Sequence, residues 1–287
     1  MCGRFVIAQK IETIKKRFNV KEPENFDYRP NYNVSPGQYT PVITNNNPRE
    51  LQKLRFGLTP FWSKKKSMLF INARAEGDRN KNNDPAYHGA KDIINKPAFR
   101  KAIRSQRCLV IADCYIEGTT KERLDKPYIV YLRNKNRPFA FAGIWDQWQN
   151  PDTGEMIRSF SIITTTANSL VQKIPHHRQP VILLGGDEKN WLRDIPLSDI
   201  TAMLRPIDAN LMNAFPIRPD IKNPKNNALE FIQAVSKPIE DETNFVIEFS
   251  ESISSELVNF TFLRVLRIPP VERRFPVAVS VLRISLS

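Results

Sequence analysis

The stretch RCLVIADCYIE at residues 107–117 decides the fold class of this 287-residue chain. β-Branched and aromatic residues dominate it, which is typical of β-strands. Runs of the same kind follow at KPYIVYLRN (126–134), RPFAFAGIW (137–145) and IRSFSIITTT (157–166). Because no long helix separates these runs, they favour a mostly antiparallel arrangement over a doubly wound parallel sheet. We predict an α+β domain built on a large, mostly antiparallel, barrel-like β-sheet with flanking short helices.

The regions on either side of this stretch supply shorter elements. An amphipathic helix is predicted over 8–18, because apolar residues recur there at helical spacing, and an ordered loop over 28–38, which is rich in Pro, Asn and Gly. Short strands are predicted at YTPVIT (39–44), LQKLRFGL (51–58) and MLFINA (68–73). The polar residues 79–95 indicate a surface loop with a short helix, and further helices are predicted at 96–104, 187–194 and 197–205.

Charge is distributed unevenly along the chain. The formal net charge is +13, but residues 238–287 contain five arginines, no lysine and seven acids, which leaves +15 on residues 1–237. Such an excess indicates a polyanionic partner, most often nucleic acid. The same change in composition predicts a boundary, with a basic domain at 1–237 and a strand-rich C-terminal extension of unknown role at 238–287.

Several classes of protein are excluded by missing patterns. The N-terminus has no signal-peptide pattern, and no run of about eighteen apolar residues occurs. Three cysteines are too few and too unevenly spaced for a disulfide framework or a paired-cysteine zinc site, and phosphate-binding glycine loops are absent. We therefore expect a soluble, cytoplasmic protein without a membrane partner, a metal or a cofactor.

The first five residues, MCGRF, raise a chemical question. If Met1 were removed, Cys2 would carry a free α-amine and a thiol on adjacent carbons. Such an aminothiol condenses with an aldehyde, and its thiol then closes a five-membered ring. Taken alone, Cys2 is more simply interpreted as a small, half-buried side chain of no chemical role.

Four other short stretches place polar residues beside apolar runs. INARAE (71–76) has Asn72, Arg74 and Glu76 at alternating positions, and ADCYIEG (112–118) ends a strand with Glu117. KIPHHRQPVILL (173–184) brings two histidines and an arginine to the start of a buried strand. FGLTPFW (56–62) and RPNYNVSPGQ (29–38) offer aromatic and Asn/Pro loops that suit single-stranded bases. Each stretch also has a simpler interpretation, as an exposed strand face, a solvated glutamate, a surface imidazole or an ordinary loop.

Taken together and in order, these stretches resemble the SOS-response-associated peptidase (SRAP) family, which includes bacterial and human proteins that shield abasic sites. The resemblance spans roughly the first 235 residues and rests on motifs in the same order and spacing: MCGRF (1–5), YNVSPGQ (32–38), LRFGLTPFW (54–62), NARAE (72–76), RCLVIADCYIE (107–117), FAFAGIW (139–145), SIITTTAN (161–168) and HHRQPVIL (176–183). It implies that residues 1–237 are the catalytic and DNA-binding domain of a DNA-damage protein that loses Met1 autocatalytically. The exposed cysteine then forms a thiazolidine with the aldehyde of an abasic site in single-stranded DNA.

The resemblance also implies a role for individual residues. Cys2 would be the nucleophile, Asn72 would orient its α-amine, Glu117 would be the general acid/base, and His176 would assist ring opening and Schiff-base formation. Phosphate contacts are implied for Arg4, Arg74 and Arg178. Residues that line the DNA groove are implied at Asn33, Pro36, Trp62 and Thr164.

Two departures from the family pattern leave alternatives open. The usual Tyr-Glu-Trp reads Tyr115-Ile116-Glu117-Gly118, and the usual His-Asp-Arg-Met-Pro reads His176-His177-Arg178-Gln179-Pro180. We prefer His176 over His177 as the catalytic histidine, because it keeps the family spacing to Arg178.

The residues also leave other functions open. The leading hypothesis is an enzyme, expected to be a monomer, that crosslinks itself to abasic sites, with lyase activity where the Schiff base is not trapped. One alternative is a cysteine peptidase in which Cys2, His176 and Glu117 act on other proteins. The other is a non-enzymatic module that binds single-stranded DNA.

Overall fold

The fold was obtained as a computed structural model that describes residues 3–64, 68–133 and 137–242. Its strands are β1 (Arg4–Ile7), β2 (Asn31–Val34), β3 (Tyr39–Thr44), β4 (Asn47–Phe56), β5 (Asn72–Arg74), β6 (Arg107–Ala112), β7 (Cys114–Thr119), β8 (Arg123–Leu132), β9 (Phe139–Gln149), β10 (Met156–Thr166), β11 (Arg178–Pro180), β12 (Ile182–Leu183) and β13 (Met212–Pro216). The α-helices are α1 (Ile11–Phe18), α2 (Ala102–Ser105), α3 (Ser169–Lys173), α4 (Gly186–Leu192) and α5 (Leu197–Ala202). Short 3-10 helices occupy Asp92–Asn95, Ala209–Leu211, Pro219–Lys222 and Leu229–Ile232.

The strands form a closed barrel and a second sheet. The barrel contains β3, β4, β6, β9 and β10, and it closes because β10 pairs with β9 on one side and with β4 on the other. Only the β10–β4 pairing in this ring is parallel. The second sheet has the order β13-β8-β7-β1-β2 and is antiparallel throughout. The predicted fold class, α+β with a mostly antiparallel, barrel-like sheet and short helices, is confirmed.

Aromatic side chains join the second sheet to the barrel. The ring of Phe5 on β1 lies 5.5 Å from that of Phe56 on β4 and 5.8 Å from that of Phe141 on β9, in edge-to-face geometry. Phe56 in turn stacks on Phe160 at 5.2 Å. All four side chains are fully buried, and each stabilises the fold by about 2 kcal/mol or more through burial of apolar area. The site described below lies along the junction that this cluster holds closed.

The stretch 107–117, predicted as one strand, is two strands in different sheets. The chain leaves the barrel after β6 and enters the second sheet as β7, with Asp113 at the corner. Asp113 is fully buried, and its Oδ2 accepts hydrogen bonds from the backbone N–H groups of Ala8 (2.6 Å) and Gln9 (3.1 Å). These bonds satisfy two donors just beyond β1 and fix the direction of the turn.

The corner predicts an unusual pH dependence of stability. Burial raises the pKa of Asp113 to about 6 from its ordinary value of 3.8, so the folded state holds this proton more tightly than the unfolded state. The free energy of unfolding should therefore fall as pH rises from about 4 to about 6, by up to about 3 kcal/mol from this group. Asp113→Asn keeps an acceptor oxygen but does not ionise.

Urea titrations at pH 4.5 and pH 7.5 measure the effect. We compare the free energy of unfolding of Asp113→Asn with that of the unsubstituted chain. The difference, variant minus unsubstituted chain, should be more positive at pH 7.5 than at pH 4.5. An equal difference at both values would show that Asp113 does not titrate in this interval.

Other elements differ from the expectations in ways that follow from tertiary pairing. Residues 28–38 were expected to be a loop, but 31–34 form β2 because β1 offers them a free edge. Of the predicted strand 68–73 only its end is regular, as β5, and Phe70 forms an isolated bridge with Leu58. The helix predicted at 96–104 is shortened to α2, and β13 and α3 were not predicted.

The predicted boundary at residue 237 is only partly within the described chain. Residues 235–242 follow β13: the N–H of Ile239 bonds to the carbonyl of Ala214 (2.7 Å), and Asn213 donates to the carboxylate of Glu242 (2.9 Å). Residues 243–287 lie outside the described residues. The division into 1–237 and 238–287 stays a prediction.

Candidate active site

A cavity of about 710 Å³ opens at the junction between the second sheet and the barrel. It collects polar side chains that are far apart in the sequence. Residues of the predicted site among those that line it are Arg4, Pro36, Arg74, Glu117, His176 and Arg178. A cavity of this volume, lined by several charged and polar side chains, fits a substrate site better than a packing defect.

The N-terminal strand leads directly into this cavity. β1 pairs with β7 in the register Arg4–Ile116, Phe5–Tyr115, and continuing this register puts Gly3 opposite Glu117. Gly3 is the first residue that the structure describes, and it lines the cavity. Cys2 lies outside the described residues.

Glu117 and His176 face each other across the two sheets. Oε1 of Glu117 lies 3.5 Å from Nε2 of His176, and both side chains are about 95% buried. Burial raises the pKa of Glu117 above its ordinary range and lowers the pKa of His176 to about 4. At neutral pH the imidazole is therefore neutral, and it faces a carboxyl group whose affinity for a proton is increased by burial.

The tautomer of His176 follows from its backbone contact. Nδ1 lies 2.7 Å from the carbonyl oxygen of Arg178 and 3.3 Å from the backbone nitrogen of the same residue. The shorter contact decides the tautomer: a carbonyl only accepts, so Nδ1 carries the proton. Nε2 of the neutral ring is then a lone pair directed toward Glu117. This arrangement sets one proton donor and one proton acceptor side by side in the cavity.

His177, the alternative catalytic histidine, lies in the same cavity but with different partners. Its ring stacks on His176 at 5.2 Å between centroids, and its Nδ1 lies 3.0 Å from the hydroxyl of Thr120. His177 is more exposed than His176. Among the described residues, the histidine within ion-pair distance of Glu117 is His176 and not His177. Burial and the neighbouring His176 lower its pKa.

Arg178 takes part in a buried ion pair. Its Nη1 donates to Oε2 of Glu76 at 2.8 Å, and its Nη2 donates to the carbonyl (2.7 Å) and hydroxyl (3.1 Å) of Thr164. Glu76 also accepts from Thr165 at 2.8 Å. Burial alone would raise the pKa of Glu76, but Arg178 and the Thr165 hydrogen bond outweigh burial and hold this pKa below its ordinary value.

Two residues predicted to line a DNA groove, Asn33 and Thr164, are fully buried, and each contacts an arginine that lines the cavity. Thr164 anchors Arg178, as above, and is 0% exposed. Asn33, also 0% exposed, accepts from Nη1 of Arg4 at 2.8 Å, while its amide donates to backbone carbonyls of residues 221, 223 and 226. Arg4 donates further to the carbonyls of Ile221 and Lys222. Both residues thus act on the cavity through an arginine.

Of the remaining predicted residues, some lie at the cavity and one lies at a separate surface depression. Asn72 and Arg74 lie two apart on β5, so their side chains share a face, and Arg74 lines the cavity. Pro36, just after β2, also lines it. Trp62 does not; it is 44% exposed beside Phe61 at a separate surface depression with Pro97, Arg100 and Lys101.

Gly118 explains how the chain tolerates the departure after Glu117. A Cβ atom placed on Gly118 would lie 1.8 Å from the carbonyl oxygen of Arg123, because the β7–β8 register shifts there. Any larger residue would push the two strands apart. The glycine thus lets β8 close over the end of β7 and hold Glu117 in the cavity.

Asn83 lines the cavity and Glu76 pairs with Arg178, and sequence reasoning assigned neither of them to the site. Glu76 was noted for its alternation with Asn72 and Arg74, which was the available signal. Asn83 gave no signal, because its role depends on how residues 77–91 fold back over Arg74. In the described ranges there is no group of three or more His, Cys, Asp and Glu side chains placed to hold a metal ion. Nor does any helix there have the length and apolar character needed to cross a bilayer.

Comparison with known proteins gives consistent matches. The family model described as SOS response associated peptidase (SRAP) matches residues 1–224. The abasic site processing protein YoqW of Bacillus subtilis is 35% identical over 242 residues, which covers 82% of this chain and all of that protein. The abasic site processing protein HMCES of Xenopus tropicalis is 25% identical, over 82% of this chain and 78% of its own length.

The fold also matches solved structures. A crystal structure of a protein from Bacteroides thetaiotaomicron superimposes with a TM-score of 0.69 at 29% sequence identity. The match covers 82% of this chain and the whole of that one.

Proposed function

The chain belongs to the SOS response associated peptidase (SRAP) family, and from this we propose that it captures abasic sites in single-stranded DNA covalently through Cys2. Relatives across bacteria and vertebrates carry the name abasic site processing protein, which supports DNA with abasic sites as the substrate class. The observation that carries the proposal is the cavity that joins Gly3 to Glu117 and His176.

The first chemical step is opening of the abasic sugar. The sugar is a cyclic hemiacetal, so its aldehyde is exposed only after C1′–O4′ cleavage. Nε2 of His176 accepts the proton of the C1′ hydroxyl while protonated Glu117 delivers a proton to O4′. General acid–base catalysis of this kind contributes about 10²–10⁴-fold, and it requires the neutral imidazole and protonated carboxyl that burial favours here.

The second step joins protein and DNA. The neutral α-amine of Cys2 adds to the aldehyde carbon, and loss of one water gives a Schiff base. The thiol sulfur then adds to the same carbon and its proton passes to nitrogen, which closes the thiazolidine. An α-amine titrates near pH 7.7–8.0, so a substantial fraction is neutral at cellular pH, unlike a lysine amine. Asn72 would orient this amine.

Removal of Met1 is a required earlier step. The α-amine of Cys2 exists only after hydrolysis of the Met1–Cys2 peptide bond. We propose that the same Cys2, Glu117 and His176 carry out this cleavage within the chain. The mass of the intact purified protein shows whether Met1 has been removed, as the loss of one methionine residue.

The arginines around the cavity suit a nucleic-acid backbone. Arg4, Arg74 and Arg178 all line the cavity, and Pro36 forms part of the same wall. Trp62 and Phe61, with Arg100 and Lys101 beside them, offer exposed aromatic faces for bases farther along the strand. We expect the protein to be associated with DNA in the cytoplasm when damage is present.

Incubation with single-stranded DNA that holds one abasic site tests the proposal. The site is made by treating a uracil-containing oligonucleotide with a uracil glycosylase. We expect a protein–DNA adduct that survives heating in detergent, with a mass equal to both partners minus one water.

The same experiment discriminates between the alternatives. A peptidase acting on other proteins would give no adduct and would cleave added peptides. A binding module would shift the DNA in a native gel without a heat-stable product. Absence of an adduct from protein that has verifiably lost Met1 would overturn the proposal.

A further inference from the structure

Residues 77–91 form a series of turns beside the cavity, and Asn83 within this segment lines it. At one end of the segment, Lys96 forms ion pairs with Asp78 and, at 3.2 Å, with Asp92. At its centre, the amide of Asn80 donates to the carbonyl of Asp84 at 2.9 Å and accepts from the N–H of the same residue at 2.8 Å. These reciprocal bonds close a turn and leave Asn83 pointing into the cavity.

Asn83 holds Arg74 directly. Oδ1 of Asn83 accepts from Nη2 of Arg74 at 2.9 Å, and the carbonyl of Asn80 accepts from the same nitrogen. Asn83 has a φ of 56°, a left-handed conformation that asparagine and aspartate tolerate better than most residues. Asparagine therefore suits this position in two ways: its backbone tolerates the left-handed conformation, and its side-chain oxygen accepts from Arg74.

The two arginines at this side of the cavity differ in their partners. Arg178 is neutralised by the buried carboxylate of Glu76. Arg74 is held only by neutral oxygens, and in the described parts of the chain no carboxylate lies within ion-pair distance of it. Its orientation is thus fixed while its positive charge stays uncompensated. A charge of this kind is what a backbone phosphate requires.

We propose that Asn83 is a positioning residue that aims Arg74 at a phosphate of the bound strand without neutralising it. The inference rests on the proposed function, since it assumes that single-stranded DNA occupies the cavity. It assigns to residues 77–91 a part in strand binding that the motifs of the chain do not indicate.

Asn83→Asp tests the inference because it keeps the size and the left-handed backbone but replaces a neutral acceptor with a carboxylate. The carboxylate should pair with Arg74 and remove one phosphate contact. For an oligothymidylate without an abasic site, we expect affinity about fivefold lower at 0.1 M salt. The slope of log affinity against log salt should become shallower by about 0.7.

Three controls separate positioning from other effects. Asn82→Asp adds the same charge at an exposed neighbouring residue and should leave the slope unchanged. In an Arg74→Ala background, Asn83→Asp should have little further effect, because it acts through Arg74. Asn83→Gly keeps the backbone conformation but should lower affinity, since Arg74 loses one of its two anchors and keeps only the carbonyl of Asn80.

The outcome is decided by the salt slope. An unchanged slope for Asn83→Asp, or an equal loss of affinity with and without Arg74, would overturn the inference while leaving the proposed function intact. If the unsubstituted protein did not bind the oligonucleotide at all, the proposed function itself would fail.

Discussion

Replacing Cys2 with alanine is expected to abolish the heat-stable DNA adduct completely. The variant can still lose Met1 by other means and expose an α-amine, so it can still form a Schiff base. Without the thiol, nothing closes the ring, and the Schiff base either hydrolyses or promotes β-elimination. Borohydride should therefore trap the variant on DNA, and strand cleavage should persist or increase. Denaturing gels with and without borohydride measure both outcomes.

A matched control uses a cysteine that does not line the cavity. Cys108 is fully buried in the barrel, and burial raises its pKa well above the ordinary value. Cys108→Ala should form the adduct normally if the protein folds. A heat-stable adduct from Cys2→Ala without reductant would falsify the thiazolidine proposal.

Glu117→Gln should slow crosslinking by about 10²–10⁴-fold. Glutamine keeps the size of the side chain and can hydrogen-bond to His176, but it cannot deliver a proton to the sugar oxygen. By microscopic reversibility the same group helps to reopen the thiazolidine, so release should slow as well. Because a catalyst lowers both barriers together, the equilibrium yield of adduct should change far less than either rate. Time courses of formation, and of exchange onto unlabelled competitor DNA, measure the two rates.

The two histidines provide the comparison for this prediction. His176→Ala should also slow crosslinking, because Nε2 is the acceptor beside Glu117. His177→Ala should have little effect, since its ring is held by Thr120 at the edge of the cavity. If His177→Ala were the more damaging change, the assignment of the catalytic histidine would shift by one residue. Wild-type rates for Glu117→Gln would remove Glu117 from the mechanism.

The sequence predicted the fold class because strand signals are local. The runs that became β8, β9 and β10 contain their own evidence in β-branched and aromatic residues. What it did not predict depends on distant partners. Nothing local to Asp113 indicates a corner, because the donors that hold it belong to residues 8 and 9. Likewise β2 is a strand only because β1 lies beside it.

The candidate site shows the same division. The residue types of Glu117 and His176 were identifiable from the sequence, and the structure brings the two side chains together. The roles of Asn33 and Thr164 were not identifiable, because a polar residue that supports an arginine looks like one that contacts DNA. Glu76 was visible as part of an alternating pattern, but its pairing with Arg178 spans 102 residues. This pairing arises because β5, which ends just before Glu76, and β11, which contains Arg178, both pair with β10.

The position of the site between two sheets has a further consequence. Glu117 belongs to the second sheet, whereas His176 lies two residues before β11, which pairs with β10 of the barrel. The 3.5 Å between the two side chains therefore measures how closely the two halves are docked. Both groups must come within hydrogen-bond distance of the same sugar, and a relative slip of about 1 Å would move one of them out of reach while leaving each sheet intact. We therefore expect the chemistry to be the first property lost on warming. Crosslinking measured along a temperature ramp should decline before the tryptophan fluorescence of the folded protein changes.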